Sequence, residues 1–552
     1  MEAAQVPNAT PQRPEVFSRQ ASGLTRVMSP WSAFMYNFLT MGVIFPWTFV
    51  WAPEAFPGVS VWAACLFATL LELPIALAYV WMATAMPRSG GDYVFQSRVI
   101  GGTIGFPIVM SGFVIWILQW VALAGWLFAN LGLAPLFLGL GVHYHSAGLI
   151  NAGVWAESKN GIVITSIIGA AAMAALLVSG FKNYVRLQYF MFAATGILVI
   201  IMLVQFLRTS PAAFATAINH FNGIVDKNPA YYTWLQHDVS SVPGGYNLAP
   251  KFALGATLLA APIAWTSTQW ATYSVEQGGE IKGARVFKNQ MFIIIGSLLA
   301  VGVVLALIAA AEQHAVGTGF FNASSASYYG GVSASGTGVG HTLPFPGMFA
   351  IVISPYPIIT VLAAVSFMLA SLQITCNCYI GVTRIMVGMS LDRILPAWVS
   401  KVHSKLHTPV NAHLVYFVLG ALVIIGYNEL AKWTSLTLGV TLACGYVFVF
   451  SAIAAALLPF RARALYEAAP GSQYRLWGVP LVTVFGVIGA LAGAAALIAF
   501  LTYSGYGLKG TTPYIIVALI LVGSFVYYWI SRYYQRGKGI NVSYAFREIP
   551  PE

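Results

Sequence analysis

Long apolar runs constrain this chain more than any other feature. A bilayer core takes about 20 mostly apolar residues per helix. Runs of that kind fall at 30–51, 59–86, 103–138, 161–180, 187–207, 252–275, 289–311, 347–376, 411–427, 435–458, 478–502 and 513–531. They predict an all-α integral membrane protein with twelve transmembrane helices. Two of the runs are long enough to tilt or to continue outside the bilayer. Of the 552 residues, only 8% are charged, against roughly 25% in a soluble domain. The chain has too little polar surface to face water on every side.

Basic residues orient such a bundle. With the N-terminus in the cytoplasm, only Lys159, Arg208, Lys227, Lys251, Lys432 and Lys509 of the 27 Lys and Arg residues fall in outer segments. That bias predicts a multi-pass protein of the cell membrane with both termini cytoplasmic. The organisation expected is a tail at 1–29, helices 1–5 at 30–207, an outer loop at 208–251, helices 6–10 at 252–458, helices 11 and 12 at 459–531, and a tail at 532–552. The net charge of +11 belongs to this topology and does not call for nucleic acid. The first 29 residues lack the apolar core of a cleaved leader, so helix 1 is expected to act as the insertion signal. Cys65, Cys376, Cys378 and Cys444 all lie in apolar stretches. Their spacing fits neither a disulfide framework nor a zinc site, and no cofactor or metal is expected. Segments 208–251 and 312–346 read as long outer loops. They and other outer segments hold His143, His145, His220, His237, His314 and His341, and the second contains the sequon Asn322-Ala323-Ser324.

Irregular backbone at membrane depth occurs where it lines a cavity, so interrupted helices point to a site. Helix 1 carries Asn37, Thr40, Met41, Gly42, Val43 and Ile44 ahead of Pro46. Pro46 has no N–H to give the carbonyl of Gly42. Helix 6 reads Pro262-Ile263-Ala264-Trp265-Thr266-Ser267-Thr268-Gln269, with four consecutive polar residues at its end. Helices 1 and 6 occupy equivalent positions if the fold is two five-helix repeats. They enter from opposite sides, so the repeats would be inverted. A broken helix offers a half-helix N-terminus to an anionic group and free carbonyls to a cation, which suits a zwitterion. Thr268 and Gln269 are expected to turn their polar groups toward a cavity. Glu72 is the clearest charged residue inside a span, and an intramembrane carboxylate is costly enough to suggest coupling to an ion. Trp116, Gln119 and Trp120 share one face of helix 3 and suit a largely apolar pocket. Ser366 and Ser371 in helix 8 are candidate ion ligands, although serines there commonly bond their own backbone.

Four segments between the helices carry a family likeness. Pro87-Arg88-Ser89-Gly90-Gly91-Asp92-Tyr93 is similar to the P-x-S-G-G-x-Y signature of the amino acid–polyamine–organocation (APC) permeases. Gly180-Phe181-Lys182 through Gln188, Gly279-Glu280-Ile281-Lys282-Gly283-Ala284-Arg285, and the stretch from Arg384 through Asp392-Arg393-Ile394-Leu395-Pro396 to Thr408-Pro409 resemble further parts of that family. The resemblance implies the leucine-transporter fold: a 5+5 inverted repeat followed by two C-terminal helices. It also implies a secondary transporter that holds a small-molecule substrate, an amino acid or related amine, on Met41–Val43 and Ala264–Gln269. A proton or sodium ion would drive it. The chain departs from the family pattern in places. A single Gly42 precedes Val43-Ile44-Phe45, no glycine falls between Gly255 and Gly278, Trp81 stands where a glutamate is common, and 187–207 has no lysine. A non-amino-acid substrate, or a structural or sensing role on the same fold, is the alternative. A membrane enzyme fits poorly: only His413 lies within a span, whereas haem ligation or triad chemistry needs buried histidine. A channel would show filter repeats or charged rings.

Overall fold

The computed structural model describes residues 23–44, 46–429, 444–506 and 512–550. The expected N-terminal tail to residue 22 and the first part of the expected span 435–458 lie outside the described residues. In order, the helices are α1 (Pro30–Thr40), α2 (Trp47–Ala55), α3 (Val61–Ala85), α4 (Gly91–His143), α5 (Ala147–Glu157), α6 (Lys159–Val178), α7 (Phe181–Arg208), α8 (Pro211–Val225), α9 (Tyr231–Ser240) and α10 (Leu254–Thr268). They continue with α11 (Phe287–Val316), α12 (Thr318–Tyr328), α13 (Pro346–Val352), α14 (Pro357–Leu391), α15 (Val410–Glu429), α16 (Gly445–Arg461), α17 (Arg463–Glu467), α18 (Leu481–Thr502) and α19 (Thr512–Gly537). Among the described residues, α3, α4, α6, α7, α11, α14, α15, α18 and α19 are long and apolar enough to cross a membrane.

Burial sorts these helices into centre and rim. The most apolar stretch of α4 is 78% buried, whereas that of α19 is 11% buried. Along α19, Ile515, Leu519, Val522, Val526 and Ile530 are each 51–65% exposed. Their spacing puts them on one face. An apolar stripe of that length is stable only against lipid or another apolar surface. The protein is a multi-pass membrane protein.

The helix breaks have local causes. Ser29 caps α1 by accepting the N–H of Ser32 at 3.1 Å, and Pro30 follows at the first helical position, where a missing N–H costs nothing. α1 stops at Thr40. Gly42 then takes a left-handed φ of 64°, a conformation that costs little only for glycine, and Pro46 starts α2. After α10 the chain tightens into a 3-10 helix, Gln269–Glu276.

Helix 8 departs from expectation. The run 347–376 is not one span, because α13 ends at Val352 and the transmembrane helix is Pro357–Leu391. Pro355 and Pro357 separate the two, since each removes a helical N–H. The far end of α14 is polar in sequence, with Asn377 and Arg384, yet it is buried. Its charge is matched inside the bundle, so hydropathy alone ended the helix too early. The regions 208–251 and 312–346 are likewise not plain loops, as they contain α8, α9 and α12. Asn322 lies within α12, buried, and its amide donates to the carbonyl of Leu248 at 2.9 Å. That leaves the sequon no free side chain to glycosylate.

Candidate functional site

Asn37 of α1 joins α1 to the 3-10 segment after α10 and to α11. Its Oδ1 accepts the N–H of Ser274, in the 3-10 segment, at 2.8 Å, and its Nδ2 donates to Ile293 O of α11 at 3.3 Å. Next to this junction is a narrow cavity of about 30 Å³, lined by Thr40, Ile117, Trp120, Trp270, Tyr273, Ile374, Asn377 and Cys378. A volume of that size holds roughly two water molecules.

Its walls come from four elements: the end of α1, the middle of α4, the 3-10 segment and α14. Trp120 meets Trp270 edge-on with centroids 6.0 Å apart, and Trp270 meets Tyr273 in the same way at 5.2 Å. Gly381 makes room for Tyr273, because a Cβ at that position would lie 2.2 Å from the phenol oxygen. The Trp120 indole N–H and the Tyr273 hydroxyl are buried without a hydrogen-bond partner among the described residues. Both are donors carried by lining residues.

The polar wall is a network around Asn377. Its Nδ2 donates to Thr40 Oγ1 at 2.6 Å, and its Oδ1 accepts from Tyr184 Oη at 2.9 Å and from Gln373 Nε2 at 2.9 Å. Tyr36 Oη donates to the Asn377 carbonyl at 3.2 Å, and Gln277 Nε2 donates to Tyr36 Oη at 3.2 Å. Every side chain in this network is neutral. Satisfied networks of this kind fix geometry in a low-dielectric interior.

Of the residues expected at the site, Thr40 and Trp120 line the cavity. Met41, Gly42, Val43 and Ile44 form the adjoining interruption and are buried, and Trp116 is buried one turn from Trp120. Gln119 is partly buried beside it. Ala264, Trp265, Thr266, Ser267, Thr268 and Gln269 are buried, but none is on the cavity wall. Thr266 donates to Ile263 O at 2.6 Å, Thr268 to Ala68 O at 3.5 Å, and Gln269 Nε2 to Thr266 O at 3.4 Å. These bonds serve helix contacts, Gln269 Oε1 is buried with no partner among the described residues, and the cavity wall begins at the next residue, with Trp270 and Tyr273. Glu72 accepts the Trp265 indole N–H at 2.6 Å, with its other oxygen unpartnered. Ser366 is buried in α14, and the Ser371 hydroxyl donates to Phe367 O at 3.0 Å. Asn377, Ile374 and Cys378 escaped the sequence reading because they fall at or beyond the expected end of helix 8. An asparagine between two cysteines in an apolar run was the available signal.

Two buried ion pairs lie where the segments following α3 and α10 meet α14. Arg384 holds Glu280 through Nε at 2.7 Å and Nη2 at 3.0 Å, and its guanidinium sits 4.8 Å from the Phe181 ring centroid. Arg98 holds Asp392 at 2.6 Å, and Tyr93 Oη donates to the same carboxylate at 2.7 Å. The four motif segments are therefore tied to one another across the bundle.

Residues 28–526 match the sequence model of a family described as Amino acid permease. Comparison with curated proteins returned no match.

Proposed function

Since the chain belongs to the amino acid permease family, we propose that it is a secondary active transporter that moves amino acids or related small amines across the cell membrane by alternating access. The observation that carries this reading is the aromatic-walled cavity between the end of α1 and the 3-10 segment after α10. The nine long helices, together with α1–α2, α10 with its 3-10 continuation, and α16, make up twelve spans. These are arranged as two inverted repeats of five and a C-terminal pair, with both termini cytoplasmic.

The physical argument runs from the backbone outward. The chain leaves the helix at Met41–Ile44, which frees backbone groups, and the N-terminus of α2 presents a positive dipole end to a carboxylate. The carbonyl oxygens of Thr40 and Asn377 and the Thr40 hydroxyl suit an ammonium group. No charged side chain lines the cavity, so a zwitterion is bound through backbone and neutral groups. A cavity of about 30 Å³ is smaller than any amino acid. Binding therefore requires Trp120, Trp270 or Tyr273 to move. Met41, Gly42, Val43, Ile44, Trp116 and Gln119 frame the widened site. The stretch Ala264–Gln269 carries the movement of helix 6, with Glu72 holding Trp265. Coupling is to a proton or sodium ion.

The test is uptake of an amino acid and polyamine mixture into proteoliposomes under proton and sodium gradients imposed separately, with counterflow measured alongside. Accumulation driven by one gradient, reduced at least tenfold by Trp120→Ala, supports the reading. Silence in every arm, counterflow included, favours a sensing or structural role.

A further inference from the structure

Two carboxyl side chains from separate elements meet in a buried place where, among the described residues, no basic side chain pairs with them. Asp92 stands in the first turn of α4 and Glu276 ends the 3-10 segment, and both are fully buried. The Asp92 N–H donates to Glu276 Oε1 at 3.2 Å, which brings the two carboxyl-bearing side chains together. Tyr79 of α3 and Ser451 of α16 donate to Asp92 Oδ1. Gln96 Nε2 in turn donates to Ser451 Oγ at 2.9 Å. Asp92 Oδ2 and Glu276 Oε2 are both buried with no partner.

No nearby base neutralises the pair. Arg98 is committed to Asp392, and Arg384 to Glu280. Arg88, in the preceding loop, donates to Pro550 O at 2.8 Å. The other titratable groups facing the site are phenols: Tyr79 against Asp92, and Tyr36 and Tyr273 toward Glu276. Two contacting carboxylates out of water cannot both stay ionised. One proton must be shared between them, and the pair titrates as a unit.

We propose that Asp92 and Glu276 form a proton-binding site that holds one proton while this end of the bundle is closed and releases it when the end opens. The proposal rests on the transporter reading and names the group whose protonation closes this end. The loop before α4 is stitched to the 3-10 segment: Gly90 N–H donates to Glu276 O at 2.9 Å, and Ser89 pairs with Gln277 in an isolated bridge. Gly91 packs so close that a Cβ would lie 2.5 Å from Val275 O. Separating these segments would part the two carboxyls and admit water. The O–H bond of the protonated partner then breaks, the proton passes to water, and two hydrated carboxylates remain. Closing the end reverses each step and requires one proton from solution.

The experiment uses the purified full chain and two readouts. Infrared spectra at neutral pH are compared for wild type, Asp92→Asn, Glu276→Gln and, as a control for another buried carboxyl, Glu72→Gln. A protonated-carboxyl carbonyl band lost in Asp92→Asn or Glu276→Gln but kept in Glu72→Gln supports the site. A spectrum unchanged in both variants overturns it. In proteoliposomes, counterflow of an amino acid mixture is expected to differ at least tenfold between about pH 5 and about pH 9 with wild type and to lose that dependence with Glu276→Gln. Wild-type counterflow that does not change with pH, or that changes equally in the variant, overturns the gating. Silent wild-type counterflow with the band present rejects the transporter reading and leaves the proton site standing.

Discussion

The buried pair Glu280–Arg384 gives the sharpest test of how the bundle is held. Both side chains are essentially without solvent contact. The guanidinium makes two bonds to the carboxylate, at 2.7 and 3.0 Å, one to Thr383 Oγ1 at 3.2 Å, and a cation–π contact with Phe181. Removing one partner of such a pair leaves a buried charge uncompensated and costs about 3–5 kcal/mol. Glu280→Gln keeps an amide oxygen for one of the two bonds, so it is expected near 3 kcal/mol on that scale. Arg384→Met leaves a carboxylate with no cation and is expected near 5 kcal/mol. The double variant removes both charges and restores volume with an apolar chain, so it should return to within about 1 kcal/mol of wild type. The assay is unfolding in mixed micelles titrated with dodecyl sulfate, followed by the fluorescence of the 16 tryptophans. Single variants that each cost under about 1 kcal/mol, or a double variant that costs the sum of the singles, would falsify the reasoning.

Gly381→Ala is expected to lower uptake at least tenfold with a stability loss of about 1–3 kcal/mol, because its Cβ would collide with Tyr273 Oη; uptake kinetics read the first and micelle unfolding the second. Gly42→Val places a β-branched residue at φ 64° and should cost about 1–3 kcal/mol, whereas unchanged stability would mean that the break relaxes freely. His341 bonds Glu157 at 2.6 Å and approaches Asp226 at 3.8 Å. The Glu157 bond raises the His341 pKa, and burial raises those of Glu157 and Asp226. All three groups bind protons more readily folded than unfolded, so stability falls as pH rises. The His341 share is complete below its ordinary value of 6.5 and is lost as pH climbs through the raised one. Hydrogen exchange across residues 329–345, corrected for intrinsic rate, should be slower near pH 6 than near pH 9, and His341→Phe should remove the difference.

The sequence by itself determined that this chain lives in a bilayer, because burial of backbone and apolar side chains for about 20 residues at a time leaves few other solutions. It also determined the family, through short segments whose glycines and charges are spaced by contact rather than by hydropathy. It marked Gly42 and Pro46, and α1 ends at Thr40 just before them. It missed the end of helix 8, because Arg384 looks like a loop residue until Glu280, 104 positions away, supplies the opposite charge. It set the site on Ala264–Gln269, whereas the cavity wall is made by Trp270 and Tyr273. Which side of a helix faces a cavity depends on its neighbours, and here Gly381 of α14 leaves the space that Tyr273 fills. The meeting of Asp92 and Glu276 was equally invisible in one dimension. Each carboxylate reads as an ordinary loop-edge charge, and only packing of the 3-10 segment against the start of α4 removes the water that would have kept both ionised.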